Sequence, residues 1–205
     1  MVLAFVVRAR PVAIAVAGLV ILVLSSVGAR QDEIPTWEMR VFRVINQLPD
    51  ALFWVLWLPM QFGNLVVGAL AGIAVAIWLG DVAVGVTVVV ATLAKLVVER
   101  VVRKRMGAFL EVRQRPGTSE PGAKLRGGDV PKSGPSFPSG HVILAAAIAT
   151  VLSSSLVPAA IAIPWLLVAA VMLGRVYVGA HNPLDVTAGL GAGMLIGGVL
   201  DILLR

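Results

Sequence analysis

The chain has 205 residues, of which 59% are apolar and 14% charged, with no cysteine and a formal net charge of +6. Soluble domains carry about a quarter charged residues, so a water-soluble enzyme, a disordered chain and a soluble nucleic-acid binder are all poor fits. The length suits one domain, residues 1–205, and without cysteine there are no disulfides and no thiolate chemistry.

Arg8 and Arg10 precede an apolar run from Val12 to Ala29. Its Val27-Gly28-Ala29 end resembles a signal-peptide cleavage site, yet the run approaches the roughly 17–25 residues of a full span and reads as the first transmembrane helix. Between residues 30 and 50, Ile34, Trp37, Val41, Val44, Ile45 and Leu48 recur at helical spacing, while Glu33, Glu38, Arg40, Arg43 and Gln47 take other faces. That pattern predicts an amphipathic helix in the membrane interface, with Pro35 in its first turn. Ala51 to Met60 is apolar but too short to span alone, and reads as a second interfacial or re-entrant piece. Asn64 to Leu79 and Val82 to Val98, separated by a Gly80-Asp81 turn, are the second and third spans. Residues 99–137 read as a long polar loop with nine of the 17 Lys and Arg residues and four acids. Three further apolar runs follow: His141 to Val157, a run to Val176 whose start is flanked by Pro158 and Pro164, and Leu184 to Leu204. The expectation is an all-α polytopic membrane protein with six spans, at about 12–29, 64–79, 82–98, 141–157, 159–176 and 184–204. Gly189, Gly193 and Gly197 repeat every four residues in the last of these, which allows close helix packing. With six spans, the loops after spans one, three and five share one side.

Two of those loops lead into residues with chemical potential. Pro138-Ser139-Gly140-His141 opens span four. Ser139 is a good N-cap, and a helix start offers unpaired N–H groups and the positive end of its dipole, a place for phosphate. His141, in the first turn, can give a proton to a leaving oxygen; the plainer alternative is a capped helix with a surface histidine. The second cluster holds Arg175, His181, Asn182, Pro183 and Asp185. Asn182 suits the N-cap, Pro183 the first helical position and Asp185 the third, from which its carboxylate reaches back toward the His181 ring. A carboxylate on one imidazole nitrogen makes the other a better nucleophile or base, and Arg175 supplies forked donors for phosphate oxygens. The alternative is a pair that only ties a loop to a helix. Lys95 is the one charge inside span three, with Glu99 at ion-pair spacing. Arg100, Arg103, Lys104 and Arg105 follow, a run that otherwise reads as a solvated flank. The chain has only two histidines, and parity puts both on one face. No residues have metal-ligand spacing.

These motifs resemble those of the type 2 phosphatidic acid phosphatase (PAP2) superfamily of membrane phosphatases: Lys-x6-Arg-Pro, Pro-Ser-Gly-His and Ser-Arg-x5-His-x3-Asp. The second is intact at Pro138-Ser139-Gly140-His141. The third runs from Arg175 through His181 to Asp185, with Gly174 where the family usually has serine. In the first, Lys95 matches, but Val102 stands at the arginine position; Arg103 lies one residue and Arg105 three residues further on, and a literal Arg115-Pro116 lies far beyond. The resemblance implies a six-helix fold and hydrolysis of lipid phosphates or diphosphates such as phosphatidate, phosphatidylglycerophosphate or polyprenyl phosphates. It implies that His181 attacks phosphorus, Asp185 orients it and His141 protonates the leaving alkoxide. Lys95, Arg175, one of Arg103 or Arg105, and the backbone at Ser139 and Gly140 would hold the phosphate oxygens. No metal or other cofactor is implied; the partners are the lipid substrate and the bilayer, with no nucleic acid.

Rival readings are a phosphotransferase on the same scaffold, a vanadate haloperoxidase-like enzyme, and a non-catalytic transporter or lipid-binding homologue. Haloperoxidases are soluble, which the apolar runs oppose, and a transporter would carry more mid-span charges or broken helices. For sidedness, Arg8 and Arg10 favour a cytoplasmic N-terminus. The catalytic loops would then face outward, against the pull of the basic loop toward the cytoplasm.

Overall fold

The computed structural model describes residues 2–30, 33–109, 113–128 and 130–205, and the side chains of all these except residues 2–9 and 102–109. Among the described residues there are nine α-helices and no strand. They are α1 (Val2–Gly28), α2 (Thr36–Asn46), α3 (Phe53–Met60), α4 (Leu65–Leu79), α5 (Val82–Phe109), the single turn α6 (Pro116–Ser119), α7 (Gly140–Ser153), α8 (Ala162–Tyr177) and α9 (Pro183–Leu204).

The centre of the bundle is α7. Every residue from Val142 to Ser153 is buried, and α4, α5, α8 and α9 pack around it. Small side chains at Ala145, Ala146, Ala147 and Ala149 let those neighbours come close. The glycines of α9 form two stripes. A Cβ at Gly189 or Gly197 would lie 2.7 Å from a carbonyl oxygen of the Ser139–Ala147 segment, so this stripe faces α7. A Cβ at Gly198 would lie 2.8 Å from the Pro11 carbonyl, and one at Gly18 of α1 would lie 2.7 Å from the Gly191 carbonyl, so the other stripe faces α1. α9 is thus held between two backbones, as a helix in lipid must be when packing rather than water expulsion drives association.

Among the described residues, four segments are long and apolar enough to cross a bilayer: Arg10–Gly28, Val82–Val101, Pro158–Tyr177 and Pro183–Leu204. Asp50–Gly63 and Leu65–Leu79 make a fifth if counted as one span bent by 71°, in keeping with a re-entrant piece before α4. The sixth expected span is α7, only 14 residues long, or about 21 Å at 1.5 Å per residue. That is shorter than the roughly 30 Å hydrocarbon layer. A helix enclosed by protein on all sides need not match that layer, and its length does not record it. The outer surface carries Leu24, Ile77, Trp78, Val97 and Leu166 exposed, the inverse of a soluble protein and the mark of an integral membrane protein.

Two boundaries differ from the sequence expectation. The loop expected from residue 99 begins later, because α5 continues to Phe109; Glu, Arg and Lys are good helix formers, and their charge had suggested a loop. The helix expected in the interface spans Thr36–Asn46, with Pro35 just before it rather than in its first turn. It leaves Trp37, Val41 and Val44 exposed and buries Glu38, Phe42 and Asn46 against the bundle. An apolar groove of about 580 Å³ between α4 and α5, lined by Ile77, Val82, Val86 and Val89, lies beside the Gly80-Asp81 turn and contains none of the motif residues.

Candidate active site

The opposite end of the bundle gathers the starts of α7 and α9 and the end of α8. At the start of α9, Asp185 occupies the third helical position, and its Oδ2 accepts the Asn182 N–H at 2.8 Å. The local sequence Asn-Pro-x-Asp therefore builds a cap that turns the carboxylate back over the preceding loop. His181 lies in that loop, with Nδ1 3.7 Å from Asp185 Oδ2. This exceeds hydrogen-bond length, and Nδ1 is buried without another acceptor or donor; catalytic hydrogen bonds commonly tighten only around substrate. Burial holds the His181 imidazole below its ordinary titration range, with Asp185 opposing the shift.

The Ser139 N–H donates to the Asp185 carbonyl at 3.0 Å, tying the start of α7 to the first turn of α9. Ser139 stands at the N-cap position of α7 but makes no side-chain cap; its Oγ is buried without a hydrogen-bond partner. At Gly140 there is no room for a side chain, because the Glu99 carboxylate lies where a Cβ would be. Glu99 in turn pairs with Lys95 at 2.8 Å, so the buried lysine of α5 reaches the α7 start. Arg175, in the last turn of α8, is 5% exposed. It lines a cavity of about 20 Å³ together with His141, Phe53, Trp57, Gln61 and Arg126. Gly174 precedes it, where a side chain would strike Met60 of α3; the absent serine of the third motif is thus accounted for by a helix that packs directly on the backbone.

The structure therefore brings His141, His181, Asp185, Ser139, Gly140, Arg175 and Lys95 to one end of the bundle. The side chains of Arg103 and Arg105 lie outside the described residues. Arg115 also joins this end: its Nη1 donates to the Ala180 carbonyl at 2.8 Å, beside His181, and its charge bears on both imidazoles. The Arg115-Pro116 dipeptide was the signal, set aside because of its distance in sequence from Lys95.

Other basic residues of the loop are structural rather than solvated. Arg126 is buried, lies 4.2 Å over the Tyr177 ring and donates to the carbonyls of Asn46, Leu48 and Tyr177. Arg113 donates through Nε to Asp185 Oδ1 at 2.8 Å and through Nη2 to Glu38 Oε1. Neither Glu38 nor Arg113 was singled out in the sequence. Burial pushes the Glu38 carboxyl above its ordinary range, and the Arg113 hydrogen bond opposes this.

The sequence profile described as the PAP2 superfamily matches residues 82–203. In fold the chain is similar to the crystal structure of LpxE from Aquifex aeolicus, with a TM-score of 0.69 and 24% identity over 82% of this chain and 97% of that one. It is also similar to the first transmembrane PAP2-type phosphatidylglycerolphosphate phosphatase from Bacillus subtilis, with a TM-score of 0.66 and 18% identity over 93% of this chain and 94% of that one. No curated protein sequence matches it.

Proposed function

This chain belongs to the PAP2 superfamily, and we propose that it hydrolyses a lipid phosphate or diphosphate through a phosphohistidine at the membrane interface. The observation that carries the reading is the buried His181–Asp185 pair, which shares one bundle end with a second histidine, Lys95, Arg115 and Arg175. The Bacillus subtilis relative is named as a phosphatase of a phospholipid phosphate, and substrates of the phosphatidate, phosphatidylglycerophosphate or polyprenyl (di)phosphate class fit the same chemistry.

His181 Nε2 attacks phosphorus while Asp185 holds the ring by its Nδ1 side. The phosphorus–oxygen bond to the lipid breaks, and His141 gives its proton to the leaving oxygen. Water then attacks the phosphohistidine, His141 takes the water's proton, and phosphate leaves with His181 restored. Phosphoryl transfer needs positioning and charge neutralisation above all, which Lys95, Arg115, Arg175 and the α7 start supply. The Ser139 N–H is already taken by the Asp185 carbonyl, so Ser139 contributes its hydroxyl, and Gly140 its N–H. The cavity beside His141 is about water-sized, so side chains such as Trp57 and Gln61 move aside for a phosphate. Among the described residues no group of three His, Asp or Glu side chains is placed to hold a metal ion, and none of the proposed steps is routed through a metal.

In the bilayer, α7 is the sixth span, shielded by its neighbours, and α2 lies in the interface on its Trp37, Val41 and Val44 face. Both chain ends are then cytoplasmic, after Arg8 and Arg10, and the site faces outward. A cysteine at exposed Ser133 would react with a membrane-impermeant thiol reagent in intact cells; labelling only after lysis would reverse the orientation. Gly117 is unsuitable, since a Cβ there would lie 2.7 Å from the Lys132 carbonyl.

The activity is tested by phosphate release from a panel of lipid phosphates by the purified chain in detergent, with and without EDTA. Release in EDTA is expected. No release from any of them, or release only with an added acceptor alcohol, would remove hydrolysis as the function.

A further inference from the structure

We propose that Glu38 and Arg113 are positioning residues that hold Asp185, and through it the His181 ring, in the orientation for attack. The kinetic consequence rests on the phosphatase reading; the geometry does not. Asp185 receives two donors, Arg113 Nε on Oδ1 and the Asn182 N–H on Oδ2, each at 2.8 Å. Two donors on different oxygens fix the plane of a carboxylate. Arg113 is fixed in turn: Nη2 donates to Glu38 Oε1, and its carbonyl accepts the Ser136 N–H at 3.0 Å and Oγ at 3.1 Å. Glu38 Oε1 also accepts the Leu184 N–H at 2.8 Å, one residue before Asp185. Glu38 and Asp185 are fully buried, and the Arg113 side chain is 6% exposed.

A device serving only to tie α2 to the bundle would be expected to satisfy its own atoms. Here Glu38 Oε2 and Arg113 Nη1 are buried without partners. The charges are uneven as well, two carboxylates to one guanidinium. Asp185, the carboxylate nearest the His181 ring, stabilises the positive charge that the ring gains on forming its bond to phosphorus.

The chain has two histidines, so ¹⁵N-histidine labelling of the purified chain gives two ring systems. Glu38→Gln keeps both acceptor contacts and removes the charge; Arg113→Lys keeps the charge and removes the fork. In both, kcat should fall about 10- to 100-fold, as for outer partners of a catalytic ligand, with KM within about twofold. The His181 ring nitrogens should shift away from the Nδ1–H tautomer, with those of His141 unchanged. A merely structural tie would lower thermal stability and leave kcat and the His181 signals of the folded protein as in wild type, which would overturn the proposal. Should Glu38→Gln not fold, Glu38→Asp is read in the same way. A wild type that releases no phosphate would sink the phosphatase reading, while the His181 signals would still decide this one.

Discussion

The two ends of the bundle are built from the same material, helix termini rich in Ser, Asp and Arg, and they satisfy it differently. At the end holding the C-terminus, Arg205 pairs with Asp201 at 2.8 Å and Asp81 at 3.4 Å. Ser154 Oγ bonds Asp201 at 2.6 Å, and Ser155 Oγ bonds Asp81 at 3.2 Å. Among the described residues, no buried side-chain polar atom there lacks a partner. At the other end Ser139 Oγ, His181 Nδ1, Glu38 Oε2 and Arg113 Nη1 all lack one. Native interiors rarely leave such atoms unpaired, and a partly satisfied polar network is costly to keep. One end is closed for stability, and the other leaves polar atoms unpaired around the helix starts where the proposed reading seats its phosphate, the Ser139 hydroxyl among them.

The largest effect that can break this contrast is at His181. His181→Ala should reduce phosphate release to background, while tungstate still protects the folded protein against heat; substantial turnover would remove His181 as nucleophile. Next come the cations. Arg115→Ala should lose on the order of 10²-fold or more in kcat, the scale for a lost charge clamp on a transition state, whereas Arg103→Ala and Arg105→Ala should lose only a few-fold. A large loss at Arg103 or Arg105 with little at Arg115 would return the first motif to α5. A subtler check is the titration of His181 by ¹⁵N NMR. Its folded value lies below the ordinary 6.5, so the neutral, nucleophilic ring should persist as pH falls through 6.5. The unfolded chain takes up its proton first, so the stability conferred by burying a neutral ring declines as pH drops below that point. A midpoint at or above 6.5 would contradict the burial argument. The smallest effect belongs to the closed end: Asp201→Asn should lower stability by about 1–2 kcal/mol, as for a weakened charged hydrogen bond, and leave kcat near wild type.

Local features were legible in the sequence. Asn182, Pro183 and Asp185 set a cap within four residues of His181, and helical caps follow from short-range rules. Lys95 stood out as the one charge inside an apolar run, and His141 and Arg175 stood out by their spacing within the two clusters at helix ends. What escaped depends on long-range packing. Glu38 meets Arg113 across 75 positions, and an amphipathic reading sends charge toward water, whereas α2 leaves Trp37, Val41 and Val44 exposed and buries Glu38 beside Phe42. The basic stretch after Lys95 read as a loop because charge obscured its helix propensity. The shortness of α7, 14 residues against an expected run of 17, was not legible either, since a helix enclosed by others answers to them rather than to the bilayer.

The central claim is that phosphate passes through His181 itself. The direct measurement is to mix the purified chain with a lipid phosphate, quench in alkali, where phosphohistidine survives, and map the phosphoryl group by mass spectrometry. The account predicts label on the peptide carrying His181, slower to form in Arg115→Ala and absent in His181→Ala. Phosphate release at full rate with label on His141, or with none on either histidine, would contradict it.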